Sequence, residues 1–372
     1  MQFQVDKIRC YDKVLRSIVK NCDSATVSMH VDFSLGELTI QSREGIHAIL
    51  KFQESRNTNS SEYKGFVEIS TFLAVVKQFD DLEVDENLEF SQGDESFKLS
   101  TWDGGIPSID FDSIALNGDE IVLSHEVAHL IESASKFVGL EGDSKDYSYL
   151  SVQHSDEKAE TKIITTNGAT MFLGDASEFI HTSFELSSDA IGIVIAALSQ
   201  DIQVKIVKEE ESFESLGRII LNLGDGDMQI AVGKSLAYSI PMIYEDSGLL
   251  ERITIDSSFV VEKYMLEDVL KFYAPFTAKN VNQVLNLIVD NDSELLICCN
   301  SEVIGKRVIS ASDVDSSIIG NSFMFSRERM LKAIGNIHDD FLEISFNANS
   351  VPFTVTGKTN KDVLIVEVQI SP

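Results

Sequence analysis

His125, Glu126 and His129 have the spacing of a zinc-peptidase motif. Two histidines four residues apart share one face of a helix, where they can bind a metal ion while the glutamate activates a water molecule. The extended form of this motif is absent, because Glu132 and Ser135 stand where it needs a glycine and a third histidine. The short form arises by chance in many chains, so a zinc peptidase is kept as an alternative interpretation.

A second group of residues suited to chemistry is basic. The first predicted helix carries Arg9, Lys13, Arg16 and Lys20, which project within one narrow sector at about 100° per residue. Ile8, Tyr11, Leu15, Ile18 and Val19 supply apolar residues elsewhere around this helix, and the four cations are predicted to be exposed. A stripe of this kind can hold phosphate groups, although most such stripes are only solvated surface.

Four further cations lie on the polar faces of other predicted helices: Lys136, Lys271, Arg329 and Lys332. Ser326 is predicted to be the N-cap of the helix that carries the last two of them. The helix from Ser187 to Gln200 is the exception, because it is apolar nearly all round and has no cation. The cations on several helices therefore suggest one shared positive surface.

The net charge of the whole chain argues against a phosphate-binding surface. The chain has 30 Lys and Arg against 60 Asp and Glu, which gives a formal net charge of −30. Taken over the whole surface, this acidity argues against nucleic acid, since phosphate binding needs a basic footprint. Binding uses one face only, however, so the distribution of the few cations decides the question.

The elements that would position these residues repeat along the chain. Short runs of alternating apolar and polar residues predict half-buried strands. Six amphipathic helices interrupt them, with predicted starts near Lys7, Glu68, His125, Ser187, Val260 and Ser326. Paired helices start roughly 60 residues apart in each third of the chain, so the sequence predicts three copies of one α+β unit, with helices packed on antiparallel sheet. The predicted domains are 1–118, 119–248 and 249–372.

Three stretches carry a resemblance to a known family. The junction Ile106–Phe111, the stretch Ser135–Leu173 and the stretch Phe323–Ile370 resemble, in order and spacing, the beta subunit of bacterial DNA polymerase III, the bacterial sliding clamp. The resemblance covers the whole chain without any single specific motif, which suits a diverged member of the family, viral clamps included.

The resemblance implies a ring and a non-catalytic role. Two chains of three domains would close head to tail, with twelve helices lining a hole and the sheets outside. The cations Arg9, Lys13, Arg16, Lys20, Lys136, Lys271, Arg329 and Lys332 would then face double-stranded DNA without reading its sequence. Expected partners are a DNA polymerase, a clamp loader and other clamp-binding proteins with short peptide motifs. No enzyme activity, cofactor or metal is expected.

The family also has a peptide pocket between its second and third domains. The positions that match it in this sequence are Thr166, Gly168, Met171, Pro241, Val366 and Val368. The chain departs from the family at Ala169 and Thr170, where His and Arg are usual, and it ends in VEVQISP instead of the family's Met-Pro-Met-Arg pattern. The resemblance therefore implies a pocket with an altered peptide preference.

Compartment and a third alternative follow from composition. The sequence shows no signal peptide and no membrane-spanning apolar run, so a cytoplasmic protein is expected. Cys10, Cys22, Cys298 and Cys299 form no CxxC pair, and reduced structural thiols are predicted in preference to a zinc or redox site. A non-enzymatic, purely structural three-domain protein remains a further alternative, since it would need no basic inner surface.

Overall fold

The structure is a computed structural model of the 372-residue chain. The residues that it describes are 2–3, 5–20, 27–42, 46–52, 64–79, 82–85, 87–98, 101–102, 120–139, 149–208, 218–233, 257–277, 284–299, 305–346 and 352–368. Among them, antiparallel strands predominate and the helices are short, which agrees with the predicted α+β class. No helix in these ranges is long and apolar enough to cross a membrane.

In the first third of the chain, a short strand precedes the first helix. Its strands are β1 (Gln2–Phe3), β2 (Ser28–Asp32), β3 (Glu37–Gln41), β4 (His47–Lys51), β5 (Lys64–Val67), β6 (Leu82–Val84), β7 (Glu89–Gln92), β8 (Glu95–Lys98) and β9 (Thr101–Trp102). Its helices are α1 (Val5–Cys10), α2 (Asp12–Lys20) and α3 (Ile69–Gln78).

The middle third repeats the same succession of strands and helices. Its strands are β10 (Ile121–Leu123), β11 (Tyr149–Ser155), β12 (Glu160–Thr166), β13 (Thr170–Asp175), β14 (Phe184–Ser187), β15 (Val204–Lys208), β16 (Arg218–Leu223) and β17 (Met228–Gly233). Its helices are α4 (Ala128–Ser135), preceded by a 3-10 turn at His125–Val127, and α5 (Ser188–Leu198).

The last third follows the same plan. Its strands are β18 (Ser257–Glu262), β19 (Val284–Val289), β20 (Glu294–Cys299), β21 (Arg307–Ser312), β22 (Ser322–Ser326), β23 (Phe341–Phe346), β24 (Pro352–Gly357) and β25 (Val363–Val368). Its helices are α6 (Lys263–Phe272), α7 (Ala274–Thr277) and α8 (Arg327–Ile334).

The strand order repeats three times. One kind of sheet has the orders β1-β6-β7-β8, β10-β15-β16-β17 and β18-β23-β24-β25, and the other has β5-β2-β3-β4, β14-β11-β12-β13 and β22-β19-β20-β21. A triplicated unit would produce this order. The predicted boundaries at 118/119 and 248/249 lie outside the described residues, so the three domain limits stay a prediction.

These short sheets join edge to edge. Pairing of β17 with β4 gives a nine-stranded sheet, and pairing of β13 with β25 contributes to a twelve-stranded one. The chain divides into two compact units, the first formed by Met1–Ile131 with Leu186–Leu236 and the second by Glu132–Glu185 with Ala237–Pro372. Each of the two extended sheets thus lies in one unit, apart from the end of β14, which crosses the division.

The helix starts show where local signals were sufficient. Ser326 is the N-cap of α8, since its hydroxyl accepts a hydrogen bond from the Arg329 backbone N–H at 3.4 Å, as predicted. The predicted start near Val260 is wrong by three residues, because Val260 belongs to β18 and its pairing with β23 extends the strand to Glu262. The first predicted helix is in fact two, α1 and α2, which meet at Tyr11.

Candidate nucleic-acid interface

Helix α2 has one apolar and one basic face. Its fully buried residues are Val14, Leu15 and Ile18. Its cations Lys13, Arg16 and Lys20 are exposed, as predicted. The 3.6-residue period thus separates the two faces, with the apolar one in the core and the basic one in solvent.

The three exposed cations differ in their partners. The Arg16 guanidinium Nε donates to both carboxylate oxygens of Asp12 at 2.9 Å, one turn earlier in the helix. The Lys13 Nζ donates to the Ser199 hydroxyl at 3.4 Å. Neither Lys13 nor Lys20 has a carboxylate within ion-pair distance among the described residues. Both lysines therefore keep their full charge available to an anion in solution.

Arg9 does not belong to this stripe. The predicted exposure is wrong for this residue, whose side chain is 28% exposed. Its guanidinium donates to three backbone carbonyls at the end of α3: Val76 at 2.8 Å, Lys77 at 3.3 Å and Phe79 at 2.6 Å. The break at Tyr11 separates Arg9 from α2, so the helical projection that aligned it with Lys13 does not hold. Arg9 satisfies carbonyls that the end of α3 leaves open.

Arg9→Ala is therefore expected to destabilise the protein, by roughly 1 to 3 kcal/mol, because carbonyls at the C-terminus of α3 lose their donors. Arg9→Lys should recover little, since an ammonium lacks the planar fork that reaches several acceptors at once. Denaturant unfolding measures both. Lys13→Ala is the matched control and should stay within about 0.5 kcal/mol of the wild type. Equal effects of Arg9→Ala and Lys13→Ala would contradict the capping role.

A second basic group lies where α4 and α8 end. Lys136 follows α4 and is exposed, Lys332 lies in the last turn of α8, and Arg329 is half-buried one turn before it. Asn336, just after α8, is buried, with 4% of its surface exposed. Its side-chain oxygen accepts a hydrogen bond from the Lys136 Nζ at 2.9 Å.

The Lys332 ammonium lies 5.0 Å from the centre of the Phe137 ring. Burial lowers the pKa of Lys332 below its ordinary value, and the nearby Glu328 carboxylate opposes this shift. Attraction between the cation and the ring face compensates part of the lost hydration. Lys332 is thus held against the protein, whereas most surface lysines extend freely into water.

Lys271 is exposed as well, yet it is neutralised locally. Its Nζ lies 2.9 Å from the Glu267 carboxylate, one turn earlier on α6. An ion pair at this helical spacing is weak in water. Lys271 would have to leave Glu267 in order to bind a phosphate, so its assignment to the basic surface stays a prediction with little support from its contacts.

The zinc-peptidase residues are not arranged as a metal site. His125 lies in the 3-10 turn before α4, with its Nε2 3.9 Å from the Asp201 carboxylate. The His129 Nδ1 lies 2.8 Å from the backbone oxygen of Glu126. In the part of the chain that the structure describes, no cluster of three or more His, Cys, Asp or Glu side chains could hold a metal ion. The contacts of this segment thus give the zinc interpretation no support.

The predicted pocket residues fall into two groups. Thr166 and Gly168 shape the β12–β13 turn: the Thr166 hydroxyl donates to the Thr170 carbonyl at 3.0 Å and accepts from the Gly168 N–H at 3.0 Å. Gly168 has a φ of +84°, a backbone conformation that favours glycine. Met171 and Val366 are directly opposite each other on β13 and β25.

Burial limits what these residues can offer a ligand. Met171 is 9% exposed and Val366 is 6% exposed, so both are buried in the sheet and can contribute only the floor of a groove. Pro241 and the side chain of Val368 lie outside the described residues. The six-residue pocket therefore stays a prediction. Of its residues, Thr166 and Gly168 share one turn, and Met171 pairs with Val366.

Two features of possible functional use were missed by the sequence reasoning. One is the buried Asn336, because a single polar residue on a helix gives no signal of a partner 200 residues away. The other is the edge strand β8 together with the part of β21 that pairs on one side only among the described strands, each with apolar side chains beside it. Strand alternation was visible in the sequence, but pairing alone determines which strands are at an edge.

The solved structures that are similar to this chain share one fold. No protein-family model matches the sequence, and no curated protein matches it. The DNA polymerase III beta subunit of Thermotoga maritima is similar in structure, with a TM-score of 0.77 and 14% identity over 100% of this chain and 99% of that one. The beta sliding clamp of C. crescentus has a TM-score of 0.75 and 14% identity over 100% of this chain and 99% of that one. The sliding clamp of Bartonella birtlesii has a TM-score of 0.74 and 16% identity over the whole of both chains. The chain thus has the sliding-clamp fold over its entire length.

Proposed function

We propose that this protein is a DNA sliding clamp, a ring of two copies that encircles duplex DNA and tethers a polymerase to it. The observation that carries the proposal is the whole-chain likeness to DNA polymerase III beta subunits, at TM-scores of 0.72 to 0.77. A clamp of this kind has no catalytic role and works in the cytoplasm. Its identity to the similar structures is only 14 to 16%, as expected of a diverged clamp.

Charge supports the same function. In a chain with a net charge of −30, Lys13, Lys20, Lys136 and Lys332 all lie on or directly after helices without a carboxylate at ion-pair distance among the described residues. Acidic surface elsewhere repels DNA, and a few free cations on helices attract its phosphates. Such contacts carry no sequence information, which suits a protein that has to slide.

The first sheet edge available for ring closure is β8. This strand pairs with β7, all four of its residues are exposed, and Phe97 is 37% exposed. A groove of about 630 Å³ lies beside it, lined in part by Ala74, Val75 and Phe79 of α3 and its C-cap. An exposed edge of this kind attracts another strand unless it is blocked.

The second edge is β21, whose residues Arg307–Ser310 pair with β20 on one side only among the described strands. Three exposed apolar side chains accompany it: Phe272 at 38%, Phe276 at 44% and Val308 at 56%. The Phe272 and Phe276 ring centres are 5.6 Å apart, and the Arg307 guanidinium lies 4.0 Å from the centre of the Phe272 ring. We call the side chains of Phe272, Phe276 and Val308 the β21 patch.

Two different edges favour a head-to-tail dimer. In such a dimer, β8 of one copy pairs with β21 of the other, and the β21 patch fills the groove beside β8. Because each copy offers both edges, two copies bury all four edges if the rotation closes, and an open chain of copies would form if it did not. A closed ring thus removes two surfaces that otherwise promote aggregation.

Polymerase, clamp loader and other partners are expected to bind through short peptides. The turn Thr166–Thr170 would lie at the rim of their pocket and the Met171–Val366 pair in its floor, since both side chains are buried. A beta-motif tethering region is described for the C. crescentus clamp. The replacement of His and Arg by Ala169 and Thr170 would change which peptide is preferred.

Negative-stain imaging with sedimentation of the same sample tests the ring. We expect a two-copy ring with a central hole wide enough for duplex DNA. A trimer, or a protein that stays a monomer at every concentration with and without DNA, would refute this assembly.

A further inference from the structure

Two lysines from different helices are linked through one buried amide. Asn336 is 4% exposed, and its Oδ1 accepts a hydrogen bond from the Lys136 Nζ at 2.9 Å. Its Nδ2 donates to the Lys332 carbonyl at 2.6 Å, at the C-terminal end of α8. Because both ends of the amide are used, Asn336 fixes the end of the Lys136 side chain relative to the last turn of α8.

The second ammonium is fixed from the side of α4. Phe137 is fully buried and stacks on Phe172, with ring centres 5.6 Å apart, so its ring cannot turn freely. The Lys332 Nζ lies 5.0 Å from the centre of that ring. Lys136 and Phe137 are neighbours in the chain, and Lys332 and Asn336 are one helical turn apart. Each ammonium group thus contacts a residue from the other lysine's segment: Lys136 contacts Asn336, just after α8, and Lys332 contacts Phe137, just after α4.

Neither lysine of this pair forms an ion pair within the described part of the protein. No carboxylate there lies within ion-pair distance of Lys136 or Lys332, whereas Lys162, Lys271 and Lys361 each contact one within 3.0 Å. An anion that contacts both ammonium groups would therefore not have to displace a carboxylate from either of them. The partial negative charge at a helix C-terminus also attracts lysines, but that attraction does not require two lysines linked through one amide.

We propose that Asn336 is a positioning residue that makes Lys136 and Lys332 a single phosphate-binding pair for the backbone of duplex DNA. The inference rests on the proposed clamp function and adds to it a residue that does not itself touch DNA. Of the three N–H groups of Lys136, one is used by Asn336 and two remain for a phosphate oxygen. A phosphate that contacts both ammonium groups would accept charge-assisted hydrogen bonds from each of them.

The salt dependence of binding to a short linear duplex tests this role, since a merely structural residue would not change it. Lys136→Met removes one phosphate contact and should reduce the slope of log affinity against log salt by about one unit. Asn336→Ala removes no charge, yet we expect it to reduce the slope by at least about half as much. Lys361→Met is the control, because it removes one lysine that is paired with Glu343 and should leave the slope unchanged.

Asn336→Ser keeps a donor for the Lys332 carbonyl and so protects the test against misfolding of the alanine variant. Its hydroxyl is too short to hold the Lys136 ammonium and it changes no charge, so its slope should fall as it does for Asn336→Ala. In the double variant Asn336→Ala with Lys136→Met, the loss should be no larger than for Lys136→Met alone, because Asn336 acts through that lysine. Melting temperatures of all variants report folding separately.

Two results overturn the inference. One is a wild-type slope for both Asn336 variants, and the other is a full additional loss from Asn336→Ala in the Lys136→Met background. If the wild-type protein itself binds duplex DNA without salt dependence, the proposed clamp function fails as well. If the wild type shows the salt dependence and both Asn336 variants have the same slope as the wild type, this inference fails, whereas the proposed clamp function is not affected.

Discussion

A Phe276→Asp, Val308→Asp double variant is expected to be a monomer that is no longer retained on circular duplex DNA. Both side chains belong to the β21 patch, with 44% and 56% of their surfaces exposed. Burial of one such apolar side chain contributes roughly 1.5 to 3 kcal/mol, and a buried unpaired carboxylate costs several more. The dissociation constant of the dimer should therefore rise by about a thousandfold or more.

Sedimentation over a wide concentration range measures this effect. The matched control is a Phe179→Asp, Ile319→Asp double variant, whose two side chains are also exposed, at 37% and 42%, but belong neither to β8 and β21 nor to the β21 patch. It adds the same charge and should remain a dimer. A dimer of unchanged strength for the β21 patch variant would exclude β21 from the interface, and two monomeric variants would indicate an effect of added charge alone.

A Lys13→Met, Lys20→Met, Lys332→Met triple variant is expected to lose most of its salt-dependent attraction to duplex DNA. Each of these lysines lacks a carboxylate partner among the described residues, so each is free to displace counterions from DNA. The slope of log affinity against log salt should fall by roughly 2 to 3 units. Polymerase processivity should fall most at high salt, where the remaining attraction is screened.

The control for this triple variant removes the same charge from other places. Lys205, Lys358 and Lys361 are paired with Glu120, Asp313 and Glu343, so their replacement by Met should leave the slope near the wild-type value. Equal slopes for both triple variants would show that net charge alone matters. In that case the free lysines on the helices would not form the DNA-facing surface.

The arrangement of elements was accessible from the sequence because local patterns carry it. Alternation along strands such as β3 and β20 marks half-buried sheet, and the spacing of the helices indicates a repeat. Ser326 caps α8 through atoms three residues away, so its role depends on nothing distant. The limits of the three domains stay a prediction, since 118/119 and 248/249 lie outside the described ranges.

The site was less accessible because its geometry depends on distant segments. Arg9 looks like a member of a basic stripe until the end of α3, 67 residues later, provides the carbonyls that hold it. Asn336 looks like a surface residue until Lys136 approaches it from α4. In both cases a helical projection gives the direction of a side chain but not the element that it meets.

Retention on topologically closed DNA tests the central claim most directly. The protein is loaded on a nicked circular duplex by its clamp loader, or by slow opening at high concentration, and is isolated at a salt concentration that abolishes binding to linear DNA. A ring that encircles DNA stays on the circle and leaves when one cut linearises it, because it slides off the free ends. Equal retention before and after the cut would contradict encirclement, and so would a protein that leaves the intact circle at the same rate as the linear duplex.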